Sequence, residues 1–161
     1  MKEDNLTKLT IILSVAFYIT SLTQTAYCAG DCKSSIMILL VGVLGILTEM
    51  GALISFIIDK INGETGSISS DIGATFTWLA NPIILIALII FRENKRIALV
   101  LSISSTILIV AFLLFDKVIN NEAGHYNKIT ELKLGYWLWL LSSLTILIGS
   151  LIIIKKSKSN K

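Results

Sequence analysis

The stretch 36–58, IMILLVGVLGILTEMGALISFII, decides the fold because its path sets the side on which every earlier residue lies. It is apolar almost throughout, and Glu49 is its single charged side chain. At about 1.5 Å of rise per residue, a helix of this length crosses a hydrocarbon layer of roughly 30 Å once. It is too short to cross twice. The stretch therefore either crosses once or enters and returns on the same side.

The composition indicates a membrane protein rather than a water-soluble domain. Hydrophobic residues make up 54% of the 161 residues and charged residues 16%, whereas soluble domains carry about 25% charged residues. Further uncharged runs of the length that a spanning helix needs cover 9–30, 72–91, 97–115 and 134–154. The polar connections between them are too short to form a separate core. We therefore predict one all-α integral membrane helical bundle over 1–161.

The carboxyl-terminal half has a clear predicted orientation. A basic turn precedes the 97–115 run, and four lysines follow the last run: Arg92, Lys95, Arg96, then Lys155, Lys156, Lys158 and Lys161. Lysine and arginine are enriched on the cytoplasmic side of membranes, so we predict a cytoplasmic carboxyl terminus. An interfacial aromatic belt is predicted at the opposite side, formed by Trp78, Tyr136, Trp137 and Trp139.

Two topologies fit the amino-terminal half. In the first, the four other runs cross and 36–58 is a re-entrant hairpin with its apex at Thr48–Gly51, or a buried non-crossing helix. In the second, 36–58 crosses and five helices span the membrane. The first puts 9 of the 14 basic residues in the cytoplasm and the second puts 8 there, so charge does not separate them. We predict the first, because it places the acid-rich 59–71 loop and the cysteine pair outside.

Cys28 and Cys32 flank a short loop, YCAGDC, directly after the first run. Outside the cytoplasm such a pair is expected to oxidise. A small structural disulfide is the simplest interpretation. A redox-active pair is the alternative, although the C-x3-C spacing differs from the C-x2-C of thioredoxin-like motifs.

Glu49 is the residue that the sequence singles out, because an acid within a membrane segment is a functional candidate by default. Gly42, Gly45 and Ala52 share its helical face, so its carboxyl is expected to contact a closely packed neighbour. We predict a protonated acid, hydrogen-bonded to a polar face of the first run comprising Thr10, Ser14, Ser21 and Thr25. A relay for protons or cations is the alternative.

Asn81 and Pro82 predict a change of direction in the 72–91 run. Proline removes a backbone donor and kinks a helix, and the Asn81 side chain can satisfy a freed group. The segment after Pro82 is too short to span, so the helix is expected to start near Gly73–Phe76 and to bend at Pro82. A break that binds an ion or a substrate is the alternative.

Two further patterns concern the last third of the chain. Small residues share one face of the last run and predict close helix packing: Gly135, Ser142, Thr145 and Gly149. The polar stretch before it contains scattered candidate metal ligands, Asp116, Glu122 and His125. A single histidine among scattered carboxylates is typical of a solvated loop, so we predict neither a metal site nor a cofactor.

The cysteine pair after the first run, WLANP at 78–82 and GYWLW at 135–139 resemble motifs of a group of small bacterial four-span membrane proteins without an assigned activity. The resemblance implies four crossings and a bacterial cytoplasmic (inner) membrane. It transfers no catalytic residue. The stretch between Gly45 and Trp78 is longer here than in that group.

The sequence favours a non-enzymatic function. We predict an accessory, sensor or assembly subunit that acts through helix–helix contacts in the lipid bilayer, as a homo-oligomer or with another membrane protein, and not with nucleic acid. One alternative is a small oligomeric channel or transporter that uses Glu49. Another is a membrane thiol–disulfide oxidoreductase that uses Cys28 and Cys32.

Overall fold

The computed structural model describes residues 3–63, 73–119 and 126–159. This part of the chain contains five α-helices: α1 (Glu3–Leu22), α2 (Ser35–Ile61), α3 (Ala80–Ile90), α4 (Lys95–Ala111) and α5 (Leu134–Ser159). A 3₁₀ segment, Thr75–Leu79, leads into α3, and a second one, Phe112–Leu114, follows α4. The predicted helical architecture is confirmed in this coarse form.

Short strands, which the sequence analysis did not predict, connect the helices. They are β1 (Thr25–Ala29), β2 (Asp31–Ser34), β3 (Lys117–Ile119), β4 (Tyr126–Lys128) and β5 (Glu131–Leu132). β1 lies between β2 and β5 in one antiparallel sheet, and β3 pairs with β4 in another. Of the three scattered metal-ligand candidates, Glu122 and His125 lie outside the described residues.

Four of the described helices are long and apolar enough to cross a membrane. They cover Asp4–Leu22, Ser35–Ile61, Lys95–Leu114 and Leu134–Ser157. This set differs from the four predicted runs. It includes the 36–58 stretch, whereas the 72–91 run forms only the shorter apolar helix Thr75–Ile90.

The 36–58 stretch is one continuous helix, so the re-entrant hairpin with an apex at Thr48–Gly51 is wrong. A glycine inside a helix costs only about 1 kcal/mol relative to alanine, which does not break a strongly apolar helix. Capping fixes the ends, because the Ser34 side chain accepts from the Met37 amide and Gly63 adopts a φ of +80°. The buried form is also wrong, since only 6% of the most apolar part of α2 is buried.

The helix ends gather at two opposite ends of the molecule. At the first, which we call the sheet end, the β1–β2 hairpin joins α1 to α2, and β5 pairs with β1 immediately before α5 begins. At the second, the basic end, Asp4 near the start of α1 lies within electrostatic reach of Arg92 and Lys95 in the α3–α4 turn. Helices α1, α4 and α5 therefore run from one end to the other.

After α2, the described chain resumes at Gly73, which lies at the sheet end. A Cβ atom on Gly73 would meet the ring of Phe115, which lies just past the end of α4. α3 then runs to the basic end, where the 91–94 turn reverses the chain into α4. Both the start of α2 and the resumption of the chain at Gly73 are thus at the sheet end.

Hydroxyl groups join the helices of the main bundle. The Ser14 hydroxyl on α1 donates to the Ser142 carbonyl on α5 (3.0 Å), and the Ser143 hydroxyl contacts those of Ser105 (2.6 Å) and Thr106 (2.8 Å) on α4. The close packing predicted for the last run is present at three of its four positions, since Gly135, Ser142 and Gly149 all contact neighbouring elements. Thr145 bonds only its own helix, at the Leu141 carbonyl.

Candidate functional site

A cleft of about 740 Å³ lies between α2 and the sheet end of the bundle. Its size falls within the roughly 300–1,000 Å³ of small-molecule pockets. The amino-terminal half of α2 forms one wall, and the 3₁₀ segment before α3, the end of α1, β1 and the first turns of α5 form the others. Most of the lining is apolar or aromatic, with Tyr27, Trp78, Tyr136 and Trp139 among the lining residues.

Two glycines let the 3₁₀ segment approach α2 closely. A Cβ on Gly42 would overlap the indole of Trp78, and a Cβ on Gly45 would overlap the methyl group of Thr75. The indole Nε1 of Trp78 donates to the Leu39 carbonyl at 3.1 Å, which anchors α2. The close packing predicted for this face is therefore present. Its partner is the 3₁₀ segment.

Glu49 continues this contact and is only 2% exposed, although most of α2 is open. The polar neighbour of its carboxyl group is Thr75, in the 3₁₀ segment. However, neither carboxyl oxygen reaches hydrogen-bond geometry with a partner among the described residues. The predicted bond to the polar face of α1 is wrong, because Thr10 and Ser14 of that face pack against α5 instead.

Two other members of those predicted faces also lie elsewhere. Thr25 belongs to β1, beyond the end of α1, so it cannot extend a helical face. Ala52, one turn beyond Glu49, is exposed. The contact between α2 and the rest of the molecule therefore ends near Glu49, and a Cβ on Gly51 would meet nothing within 4 Å.

Asn81 and Pro82 lie at the change from 3₁₀ to α winding. Pro82 occupies the first turn of α3, where the backbone N–H that it lacks would have no partner in an α-helix. The Asn81 amide donates to the Trp78 carbonyl at 3.0 Å, four residues before Pro82, and its oxygen accepts from the Tyr18 hydroxyl at 3.1 Å. The predicted bend is thus a change of helix type, and Asn81 satisfies the freed carbonyl as predicted.

Cys28 and Cys32 face each other across the β1–β2 hairpin. They are register partners, and their sulfur atoms lie at disulfide distance (2.00 Å). Gly30 makes the turn between them with a φ of +76°, a conformation that disfavours other residues. Cys28 is 7% exposed, whereas Cys32 is open to the surroundings. The linkage therefore closes the loop that joins α1 to α2.

The four aromatic residues predicted as an interfacial belt occupy different environments. Tyr136 is 1% exposed, donates to the Ile109 carbonyl at 2.9 Å and packs against Phe112, so it belongs to the core. Trp78 anchors α2, and Trp139 lines the cleft. Trp137 is 46% exposed and is the member whose exposure fits an interfacial role.

Sequence reasoning missed the polar groups of the cleft. Lys33 is the only charged residue among the described residues that line it. The Ser35 hydroxyl and the Trp139 indole nitrogen are buried and find no hydrogen-bond partner in the described part of the chain. Burial raises the pKa of Tyr27 to about 12, further above the ordinary value at which a phenol is already neutral at pH 7. The available signal was the sequence Lys-Ser-Ser immediately before a long apolar helix.

Comparisons with protein-family models, with curated proteins and with solved structures each find no match for this chain. The described residues also contain no group of three or more potential metal ligands. The resemblance to small bacterial four-span proteins stays a prediction. The geometry of α2 and of the cleft is therefore the basis on which a function can be inferred.

Proposed function

We propose that this chain is a multi-pass membrane protein in which α2 serves as a docking helix for another membrane-embedded subunit. In this arrangement α1, α3 with its preceding 3₁₀ segment, α4 and α5 cross the membrane. α2 makes no net crossing and lies at the level of the sheet end. The basic end faces the cytoplasm of a bacterial cell, together with the carboxyl terminus.

The start of α2 at Ser35 and the resumption of the described chain at Gly73 support this arrangement, because both lie at the sheet end. If α2 crossed, the polar stretch 62–74 with Glu64 and Asp71 would have to recross the hydrocarbon layer. A polar segment that carries acids is strongly disfavoured there, because charged side chains are costly to bury in hydrocarbon. The basic side chains Lys8, Arg92 and Lys95 then share the cytoplasmic side.

The observation that carries the docking function is the exposed surface of α2. Large apolar side chains remain 47–67% exposed along much of its length, as at Leu40 (67%), Leu47 (59%) and Ile54 (54%). A helix that is hydrophobic all round must be covered by lipid or by protein. The 3₁₀ segment covers only the narrow face at Gly42, Gly45 and Glu49. A second copy of this chain or a different membrane protein can therefore pack along the rest.

The other functional hypotheses from the sequence stay predictions. Glu49 is covered by the 3₁₀ segment, a position that favours a structural role over ion conduction. The exposure of Cys32 leaves a thiol–disulfide activity open to test by replacing both cysteines with serine and measuring thiol oxidation outside the cytoplasm.

Site-specific photocrosslinking in native membranes tests the docking function. A photoreactive residue at 40, 47 or 54 on α2 should give a discrete protein adduct. The matched controls are Val100 and Ile107 on α4, which are equally exposed (62% each) but belong to the main bundle. They should give lipid adducts only. Monomers alone at the α2 positions, or the same adducts at the α4 positions, would refute the proposal.

A further inference from the structure

We infer that the cleft under α2 binds one acyl chain of an anionic phospholipid and holds its phosphate at Lys33. This site is separate from the exposed face of α2 that the docking function uses. It depends on the proposed crossing arrangement only for the level at which Lys33 lies in the bilayer.

The shape and lining of the cleft fit an apolar chain. Its walls combine aliphatic side chains of α2, such as Ile38 and Val41, with the aromatic side chains of the bundle. No acid lines it among the described residues, and the phenol of Tyr27, whose pKa burial raises further above its ordinary value, to about 12, carries no charge at pH 7. The interior therefore favours hydrocarbon and does not repel an anion at its rim.

The polar groups of the cleft fit a head that accepts hydrogen bonds. Lys33 forms no ion pair among the described residues, so its ammonium group is free for a phosphate. The Ser35 hydroxyl and the indole nitrogen of Trp139 are buried donors without a partner within 3–63, 73–119 and 126–159. Gly135 lies against Ser35 and is one helical turn from Trp139, so both donors belong to one region of the wall. An ammonium group near two hydrogen-bond donors favours a lipid head group whose oxygens accept hydrogen bonds, such as a phosphate.

A membrane phospholipid is the occupant that this placement favours. Lys33 is the next-to-last residue of β2, two positions before α2 begins at Ser35, so it lies at the sheet end, which in the proposed arrangement is the level of the lipid head groups. Lysine side chains reach that level while their stems cover apolar surface. The chain of a bound lipid would then enter the cleft beneath α2 from the surrounding bilayer.

Tryptophan quenching by brominated lipids tests this inference in the full chain, reconstituted in nanodiscs. The Trp137→Phe background leaves emission only from Trp78 and Trp139, both of which line the cleft. Phosphatidylglycerol with brominated chains should quench at a lower mole fraction than phosphatidylcholine with the same chains. Equal quenching by the two lipids would overturn the inference, and so would preferential quenching by a brominated fatty acid.

Two pairs of variants locate the site. Lys33→Gln should raise the mole fraction of phosphatidylglycerol for half-maximal quenching about fivefold, the effect of one lysine near a membrane surface. Lys128→Gln, an exposed lysine that does not line the cleft, should leave it unchanged. Ala26→Leu, which fills the cleft, should reduce the quenching, whereas Ala16→Leu on an exposed face of α1 should not. Equal effects within either pair would overturn the assignment.

Discussion

The contact between α5 and α1 differs from the contact between α2 and the 3₁₀ segment, although both long helices are strongly apolar. In the most apolar part of α5, 33% of the residues are buried, against 6% in α2. The α5 helix places hydroxyls opposite those of its neighbours, as in the Ser14–Ser142 pair. α2 has one interhelical hydrogen bond in the described part of the chain, from Trp78 to Leu39. Apolarity thus brings a helix to the membrane, whereas small residues and hydroxyls select its neighbours.

The largest expected effect comes from filling the α1–α5 contact. Gly149→Leu forces a side chain into the space that Thr10 occupies, so the free energy of unfolding should fall by about 1–3 kcal/mol, as for other overpacked sites. The matched control is Gly51→Leu in α2, where nothing lies within 4 Å. Unfolding in mixed micelles by titration with a denaturing detergent measures both. Equal losses would show that the two helices are packed alike.

The next effect concerns α2 alone. Gly42→Leu displaces the Trp78 indole, so α2 should separate from the 3₁₀ segment while the bundle stays folded. We expect a shift in tryptophan emission with unchanged helix content in circular dichroism. Ala52→Leu, on the same face but exposed, should shift neither signal. Global unfolding of Gly42→Leu would contradict the view that α2 is attached to an independent bundle.

A smaller effect is expected between α4 and α5. Ser143→Ala removes the contacts to Ser105 and Thr106, and interhelical hydrogen bonds in membranes contribute about 0.6 kcal/mol on average. Ser104→Ala is the control, because that hydroxyl bonds only its own helix at Val100. A double-mutant cycle of Ser143→Ala with Ser105→Ala isolates the pair. A coupling energy of zero would show that these hydroxyls do not help to hold α4 against α5.

The smallest effect is expected at Glu49. Its carboxyl oxygens have no hydrogen-bond partner among the described residues, so Glu49→Met replaces an unsatisfied buried group by an apolar one of similar length. Such replacements are nearly neutral or slightly stabilising. Crosslinking between cysteines introduced at 45 and 75 reports whether α2 stays docked. Undocking by Glu49→Met but not by Glu49→Gln would identify a polar contact that this geometry does not contain.

The sequence predicted where the helices lie along the chain better than it predicted which segments they pack against. The apolar runs located α4 and α5, and the small residues of α5 predicted its close packing, because both depend on spacing along one helix. The partner of Glu49 was not predictable, since the face of Gly42 and Gly45 does not specify which segment packs on it. Tyr136 resembled a belt residue because a sequence shows amphipathic side chains but not the carbonyl of Ile109 that accepts a hydrogen bond from its hydroxyl.

The 36–58 stretch shows a different limit. Thr48–Gly51 looked like a break because glycine and a charged residue interrupt an apolar run. In an α-helix every backbone group of this stretch is satisfied within the segment, and that gain outweighs the cost of one glycine. The hairpin around Cys28 and Cys32 was likewise expected only as a loop, because its pairing with β5 depends on residues about 100 positions away.

The polar face of α1 sets an order of events during synthesis. Ser14 on α1 bonds to Ser142 on α5, and β1 takes its second neighbour from β5, so the early half of each contact is synthesised long before its partner. Until α5 is made, the face of α1 that later packs against it is exposed to lipid. Helix α1 therefore gains these contacts only after α5 has been made.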